Sequence, residues 1–223
     1  MGDILMKREE ILRNCPLYRN ISDEDLHKAY NCMGGHVMKF SKNQIILEEG
    51  GPAGSIGIVL SGSVQTVRDD YNGNRVIINH LETGDIFAEA AAVTELTRMP
   101  VTIVAGTDCH VFLVDSNRVM NPCHKNCSFH INLIKNLLNV VAIKNIWLTH
   151  RIEITSCRTT REKIMAFLLI ASRQYNSREF TIPFNRQELA DFLGVERSAM
   201  SAEISRLRAD GIIESNRSWF KIL

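Results

Sequence analysis

Three arginines lie close together near the C-terminal end of this 223-residue chain: Arg197, Arg206 and Arg208. They fall within the segment FNRQELADFLGVERSAMSAEISRLRADGIIE at positions 184–214. A guanidinium can pair bidentately with the edge of guanine, which is the chemistry we expect of Arg197. Arg206 and Arg208 lie further along the segment, where contact with backbone phosphates is expected. The segment therefore predicts a contact with DNA.

Two amphipathic helices are predicted to present these arginines. Asn185 can cap a first helix from Arg186 to Leu193, and Gly194 can end it in the left-handed conformation. A second helix is expected from about Arg197 to Asp210. Its inward-facing residues would be Met200, Ile204 and Leu207. A short turn with glycine between two such helices is typical of a helix-turn-helix, whose second helix enters the major groove.

Small side chains cover the second helix near its start: Ser198, Ala199, Ser201 and Ala202. They would allow close approach to base edges, and the two serines can bond a base or a phosphate. The following GIIESNRSWFKIL predicts two short strands around an SNRS turn, which would make a winged helix. The expected DNA contacts are Arg186, Gln187, Arg197, Ser198, Ser201, Arg206 and Arg208. The alternative is an ordinary helical hairpin with a solvated, charged face.

A second candidate chemistry lies in the segment CHKNCSFH, which contains Cys123, Cys127 and His130 with His124 adjacent. If the segment is helical, the first three share one face, and thiolate and imidazole ligands there could hold zinc or iron. The spacing is not the CxxC of structural zinc sites. A redox-sensing thiol pair is a further option, and small buried hydrophobic cysteines are the plainest interpretation. No metal is firmly predicted.

Short β-branched segments separated by turn signals begin at Gly34 and continue for about 85 residues. Asn72-Gly73, between two of these segments, is the strongest hairpin signal in the chain. The alanine-rich FAEAAAVTELT at 87–97 predicts a helical turn or two rather than a strand. The regular recurrence of short strands favours a compact antiparallel sandwich or barrel. Before it, residues up to about 33 are predicted to be helical, with Ser22 as an N-cap.

A long helix is predicted after the strands, with Asn121 as N-cap and Pro122 at its first position. Apolar residues at alternating spacings of three and four predict a coiled-coil seam, in which Asn145 would set the register. The seam consists of Ile131, Ile134, Leu138, Val141, Asn145, Leu148 and Ile152. A second apolar line consists of Leu133, Leu137, Val140 and Trp147. Two lines favour a helix that packs on its own domain and on a second copy; the alternative is a helix that packs only on its own domain.

Composition agrees with a cytoplasmic globular protein. Residues 155–223 carry 11 Lys and Arg against 8 Asp and Glu, so the C-terminal part has the sign of charge that suits a polyanion. No apolar run is long enough to cross a membrane, and the N-terminus lacks the pattern of a signal peptide. Six cysteines without a dense framework fit a reducing compartment.

The order of these parts resembles the bacterial family of the cyclic-AMP receptor protein and the fumarate-nitrate-reduction regulator (Crp/Fnr). The segments SGSVQTVRDDYNGNRVIINHLETGDIFAEAA, RTTREKIMAFL and FNRQELADFLGVERSAMSAEISRL carry the resemblance. It implies an α+β fold with an effector-sensing, cyclic-nucleotide-binding-like jelly roll (1–120), a dimerisation helix (121–154) and a winged helix-turn-helix (155–223). It also implies a homodimer on palindromic operator DNA, with RNA polymerase as a possible partner. The expected dimer contacts are Ile134, Leu138, Val141, Asn145 and Leu148.

The resemblance breaks down at the effector site. Members that bind cyclic nucleotides have a glycine-glutamate pair and an arginine-serine pair, which are replaced here by Ala88-Glu89 and by Arg98-Met99 before Pro100. The expected effector residues are Glu89, Arg98, Met99, Trp147, Leu148 and Thr149. The effector is therefore expected to be a small apolar or aromatic acid rather than cyclic AMP. Alternatively, Arg98 makes an ordinary surface or structural ion pair.

The base-reading positions also differ from those of well-known members, since a glutamate and an arginine are replaced by Ser198 and Ala202. The closely spaced N-terminal cysteines of iron–sulfur members are missing as well, because Cys15 and Cys32 are 17 positions apart. A cupin-type metalloenzyme remains a remote alternative, but the seven histidines include no HxH pair. A constitutive regulator whose β domain binds nothing is the last option. An enzyme is not expected.

Overall fold

The computed structural model describes residues 9–69, 75–94, 96–121 and 127–223. The chain forms two compact units, Met1–Ala142 and Ile143–Leu223, and the division falls within the long helix. The N-terminal unit opens with helical residues at 9–14, a 3₁₀ turn at Pro16–Tyr18 and helix α1 at Asp23–Cys32. The hydroxyl of Ser22 accepts a hydrogen bond from the Asp25 backbone, so the predicted N-cap is confirmed.

Among the described residues of this unit, eight strands in two antiparallel sheets form its body. They are β1 (His36–Phe40), β2 (Ile45–Leu47), β3 (Ser55–Ser61), β4 (Val64–Asp69), β5 (Arg75–Leu81), β6 (Ile86–Phe87), β7 (Thr102–Ala105) and β8 (Cys109–Asp115). One sheet has the order β1-β8-β3-β6 and the other β2-β7-β4-β5. Strand β3, SIGIVLS, is buried along its centre because Ile56, Ile58 and Leu60 pack in one core cluster and Val59 packs in another on the opposite face. The predicted antiparallel β fold is confirmed.

Two predicted local features lie beside these strands. Strands β4 and β5 pair antiparallel, with Val64 opposite Leu81 at one end and Asp69 opposite Arg75 at the other, as the hairpin prediction requires. Asn72 and Gly73 themselves lie outside the described residues. The alanine-rich segment forms the short helix α2 at Glu89–Ala92, as predicted. Its N-cap, Ala88, has a φ of 61°, in the left-handed region that glycine normally occupies.

The predicted start of the long helix is wrong. Asp115 caps a separate short helix, α3 (Ser116–Met120), and Asn121 is the C-cap of that helix instead of the N-cap of the next one. The side chain of Asn121 donates to the Asn117 carbonyl at 2.9 Å, which satisfies the end of α3. The long helix α4 runs over Phe129–Ser156.

The two apolar lines of α4 have different surroundings. Leu133, Leu137 and Val140 are buried in the core of the N-terminal unit. Asn136 strengthens this packing, because its amide donates to the carbonyls of Leu17 and Arg19 at 3.0 and 2.7 Å. Large residues of the other line lie on the surface: Ile131, Leu138, Leu148 and Ile152 are 62, 69, 59 and 66% exposed.

The C-terminal unit is a winged helix. Its elements are α5 (Thr160–Tyr175), β9 (Glu179–Thr181), α6 (Arg186–Leu193), α7 (Arg197–Ala209), β10 (Ile213–Asn216) and β11 (Trp219–Ile222). The three strands form one antiparallel sheet in the order β10-β11-β9. Phe220 on β11 pairs with Phe180 on β9, and both are buried in the core beneath the helices. The predicted helix-turn-helix with a β wing is therefore confirmed.

Candidate nucleic-acid interface

Helices α6 and α7 are bounded by capping interactions. Asn185 Oδ1 accepts hydrogen bonds from the backbones of Gln187 and Glu188, and the Glu188 carboxylate accepts one from the Asn185 backbone. Gly194 ends α6 with a φ of 61°. Glu196 then caps α7 by accepting from the Ala199 backbone. These caps fix the start of α7 close to the end of α6, as a helix-turn-helix requires.

Helix α7 has one buried face and one exposed face. Met200, Ile204 and Leu207 are buried, as the sequence predicts. The candidate contact residues of this helix are all exposed: Arg197, Ser198, Ser201, Arg206 and Arg208. Since small side chains occupy the start of the exposed face, a groove edge can approach the helix backbone closely there.

A polar cavity of about 240 Å³ lies between α7 and the wing. Arg186, Arg208 and Arg217 all line it. The Arg186 guanidinium lies 5.1 Å from the centre of the Phe220 ring, and among the described residues its Nη1 has no hydrogen-bond partner. Burial lowers the pKa of Arg186, and the nearby charge of Arg208 lowers it further. An anion in this cavity would relieve that repulsion, so the geometry suits a phosphate.

Arg217 is a candidate contact that the sequence analysis missed. It lies in the SNRS turn of the wing, with a φ of 50°, beside the serines and arginines of the cavity. The turn itself was recognised from the sequence. An arginine at the tip of a predicted wing was the available signal, but only the fold shows that this tip reaches Arg186 and Arg208.

The other candidate DNA contacts differ in whether their side chains already form ion pairs or hydrogen bonds within the protein. Arg206 pairs with Glu203 at 3.0 Å, whereas Arg197 makes no ion pair with another described residue. The Ser198 hydroxyl donates to the Glu196 carboxylate, and the Gln187 amide donates to Asp191 at 2.9 Å. The bond from Ser198 is also the main reason that the pKa of Glu196 is lowered. Arg197 is thus the candidate base-reading residue that needs the least rearrangement.

The predicted effector residues fall in both units. Glu89 is buried at the start of α2, and Met99 is 3% exposed in the β core. Arg98 is exposed, and its guanidinium donates to the Gly50 carbonyl at 3.4 Å. The Met99 backbone donates to the Gly51 carbonyl at 2.8 Å, so that donor is already used.

The remaining effector candidates lie on the C-terminal half of α4. Trp147 lines a cavity of about 430 Å³ in the C-terminal unit, together with His150, Ile170 and Arg173. Leu148 and Thr149 do not line it; Leu148 is 59% exposed, and the Thr149 hydroxyl donates to the Asn145 carbonyl. The structure therefore joins Trp147 to an arginine that the sequence analysis did not single out.

The described cysteines differ in their surroundings. Cys15 is buried, and desolvation raises its pKa to about 12, which makes it an unreactive thiol at neutral pH. Cys127 and His130 lie together at the start of α4, as expected, but their third neighbour in the described part of the chain is Cys32. Cys123 and His124 lie outside the described residues.

Comparison with known families supplies the identity. The family model of the cyclic nucleotide-binding domain matches residues 37–126, and that of the Crp-like helix-turn-helix domain matches residues 162–223. The chain belongs to the Crp/Fnr family. This member therefore combines a cyclic-nucleotide-binding-type β domain with a DNA-binding domain, and it is a DNA-binding transcription regulator rather than an enzyme.

Individual relatives are distant. CRP-like protein Clp of Xanthomonas campestris is 20% identical over 194 residues, which cover 81% of this chain and 80% of Clp. The solved structure of the c-di-GMP-responsive global regulator CLP of Xanthomonas campestris is similar with a TM-score of 0.57 and 16% identity, over 90% of this chain and 99% of that one. The solved structure of FixK2 of Bradyrhizobium japonicum is similar with a TM-score of 0.52 and 20% identity, over 84% of this chain and 92% of that one.

None of the helices in the described part of the chain is both long and apolar enough to cross a bilayer.

Proposed function

We propose that this Crp/Fnr member is an effector-responsive homodimer that reads a palindromic operator through α7. The observation that carries the proposal is the arginine-lined cavity beside the exposed face of α7, with Arg197 at the start of that helix. Arg186, Arg208 and Arg217 would hold a backbone phosphate, and Arg197 would read a guanine. Gln187, Ser198, Ser201 and Arg206 would add polar contacts around these anchors.

The proposed dimer interface is the exposed line of α4. A solvated helix rarely keeps Leu138, Leu148 and Ile152 at least 59% exposed while its other face is packed in a core. The spacing of the line fits a second copy of the same helix, with Ile134, Val141 and Asn145 completing the seam. In this proposal, 121–154 connects the sensing part at 1–120 with the DNA-binding part at 155–223.

The proposed effector is a small apolar or aromatic acid rather than cyclic AMP. Met99 is buried where nucleotide-binding relatives have a serine hydroxyl, and Pro100 has no backbone N–H to donate. Glu89 and Arg98 would supply the charged contacts to such a ligand. Such a ligand can control DNA binding only if it binds the DNA-competent arrangement more tightly than the other one. A cytoplasmic location and a contact with RNA polymerase complete the proposal.

The base-reading assignment is tested with two arginine variants. Arg197→Ala should cost about 1–3 kcal/mol on the cognate operator and relax the preference at a single operator position. Arg208→Ala should weaken binding to all sequences alike and reduce the slope of log K against log salt by about 1. Both are measured by fluorescence anisotropy on a library of operators with single substitutions, across a series of salt concentrations.

The matched control is Arg178→Ala, which removes the same charge from an exposed position of the same unit, just before β9. It should leave both specificity and salt slope near their wild-type values. Equal losses on specific and random DNA for Arg197→Ala would show that this residue does not read a base.

A further inference from the structure

Three potential metal ligands meet where two helices of the N-terminal unit approach each other. Cys32 is the last residue of α1, Cys127 lies just before α4, and His130 lies in the first turn of α4. One ligand atom from each residue lies within 4.8 Å of the other two. Cys32 and Cys127 are half-buried and His130 is 1% exposed, so an ion could reach the thiols from the surface.

The His130 ring is oriented as in many metal sites. Its Nε2 lies 3.2 Å from the Arg118 carbonyl oxygen, which can only accept, so Nε2 carries the hydrogen. Nδ1 then has a lone pair, and among the described residues this buried atom has no hydrogen-bond partner. A metal-bound histidine commonly donates its second ring nitrogen to a carbonyl in this way. A stacked Phe129 ring, 4.9 Å away, further restricts the orientation of the imidazole.

The surrounding backbone holds the three donors in place. The His130 backbone donates to the Cys127 carbonyl at 3.2 Å, which forms a tight turn before α4. The Ser128 hydroxyl donates to the Asp25 carboxylate at 3.1 Å, which ties this turn directly to α1. The side chains of Cys32 and Cys127 both pack against the core of the unit. The donors are therefore close together before any ion binds.

We propose that Cys32, Cys127 and His130 bind a thiophilic divalent ion, Zn²⁺. Two thiolates and an imidazole are the soft and borderline donors that zinc prefers. Zn–S bonds of about 2.3 Å place two sulfurs about 3.8 Å apart in a tetrahedron, so only small side-chain adjustments are needed. Two thiolates neutralise the ion, which suits a half-buried position. A fourth ligand would come from outside this set of three.

The ion would join the end of α1 to the start of α4. Helix α4 also carries the proposed dimer seam, so zinc would stabilise the element on which dimer formation depends. This role is independent of the proposed effector, because neither Arg98 nor Trp147 belongs to the cluster. Binding would release the thiol protons, and affinity should therefore increase with pH.

The test uses the full-length, reduced, metal-free protein titrated with Co²⁺ and then with Zn²⁺. Cobalt should bind once per chain and give thiolate-to-metal charge-transfer absorption, which zinc then removes as it displaces cobalt. Cys32→Ser and Cys127→Ser should each halve that absorption and weaken Zn²⁺ binding at least about 100-fold in competition with a chromophoric chelator, since even outer ligands of a metal are worth 10–100-fold. Cys157→Ser, in the C-terminal unit, is the control and should leave both unchanged.

Two results would overturn the proposal. One is a cobalt absorption that does not depend on the cluster: wild-type protein gives no thiolate-to-metal absorption, or the Cys32→Ser variant keeps all of it. The other is a cluster that binds no ion but, under a mild oxidant, joins Cys32 and Cys127 with the loss of two hydrogen atoms, as mass spectrometry would show. That outcome would identify a redox-active thiol pair. Circular dichroism of each variant establishes that a lost signal is not lost folding.

Discussion

Ala88 is an L-residue in a backbone conformation that favours glycine. Its φ of 61° lies in the left-handed region, where a side chain costs about 1–2 kcal/mol. The position begins α2, directly before the buried Glu89. In members of the family that bind cyclic nucleotides, glycine occupies the matching position. The left-handed backbone at Ala88 explains why glycine is favoured there.

We expect Ala88→Gly to raise the free energy of unfolding by about 1 kcal/mol, since relief of strain exceeds the added entropy of the unfolded chain. Urea unfolding followed by circular dichroism measures it. Ala91→Gly is the matched control, three residues on within α2; it should lower stability by up to about 1 kcal/mol. If both variants are destabilised alike, the strain at Ala88 is not significant.

Arg186 shows how a single side chain can prepare the candidate interface for a phosphate. Arg186 keeps its charge half-buried against Phe220 and next to Arg208, although this combination lowers its pKa. The unfavourable contact in the free protein is the same feature that makes the cavity suitable for phosphate.

At the scale of single elements, the start of α5 shows how a cap couples folding to pH. The Glu162 carboxylate accepts from the backbones of Arg158 and Thr159, both at 3.0 Å, while the Thr159 hydroxyl accepts from the Glu162 backbone. These hydrogen bonds lower the pKa of Glu162 below its usual value of 4.5, the backbone of Thr159 having the largest effect.

The stabilisation from Glu162 should therefore be complete above pH 4.5 and disappear as pH falls through the lower pKa of the folded protein. Glu162→Gln keeps the capping geometry and removes the titration. We expect the variant to be less stable than the wild type at pH 7 and equal to it in strong acid, by thermal unfolding across that range. Glu179→Gln, on β9, is the control; a similar pH dependence for both would mean that the cap is not the cause.

Helix α4 is the element on which the proposed dimer depends. Leu138→Asp places a charge in the middle of its exposed line, where a second copy would bury it without a partner. We expect monomers by multi-angle light scattering. The monomer should stay folded, because the side chain that is replaced is 69% exposed.

Asn139→Asp is the matched control for this variant. It adds the same charge one position further along the helix, outside the seam, and should leave the dimer intact. A Leu138→Asp protein that remains dimeric would mean that another surface holds the two copies together.

At the scale of the whole molecule, the residues at the predicted effector site differ from those of the nucleotide-binding members of the family. Glu89 and Arg98 are both present, but Arg98 lies on the surface and bonds Gly50, while Met99 fills core space. The charged groups for a cyclic nucleotide are therefore retained without the hydroxyl that would accompany them.

We expect calorimetric titration of the metal-free, reduced protein with cyclic AMP to give no heat of specific binding. Ala88→Gly combined with Met99→Ser provides a comparison that restores the two missing residue types. Micromolar binding by the unmodified protein would contradict the proposal and place it with the cyclic-nucleotide regulators. Operator binding that never responds to any ligand would favour a constitutive regulator.

Much of the fold follows from local patterns in the sequence. The bounds of α6 and α7 were predicted almost to the residue, because Asn185 and Gly194 act on neighbouring backbone groups only. The alternation of short strands and turns likewise depends on near neighbours. The two lines of α4 follow from helical periodicity, which assigns residues to faces before any partner is known.

Tertiary structure decided which distant residues meet. Arg217 joins Arg186 and Arg208 only because the wing folds back onto α7. Cys32 joins Cys127 and His130 because α1 packs beside the start of α4. Such contacts depend on the packing of whole elements, whereas caps, turns and periodicity depend on neighbours along the chain.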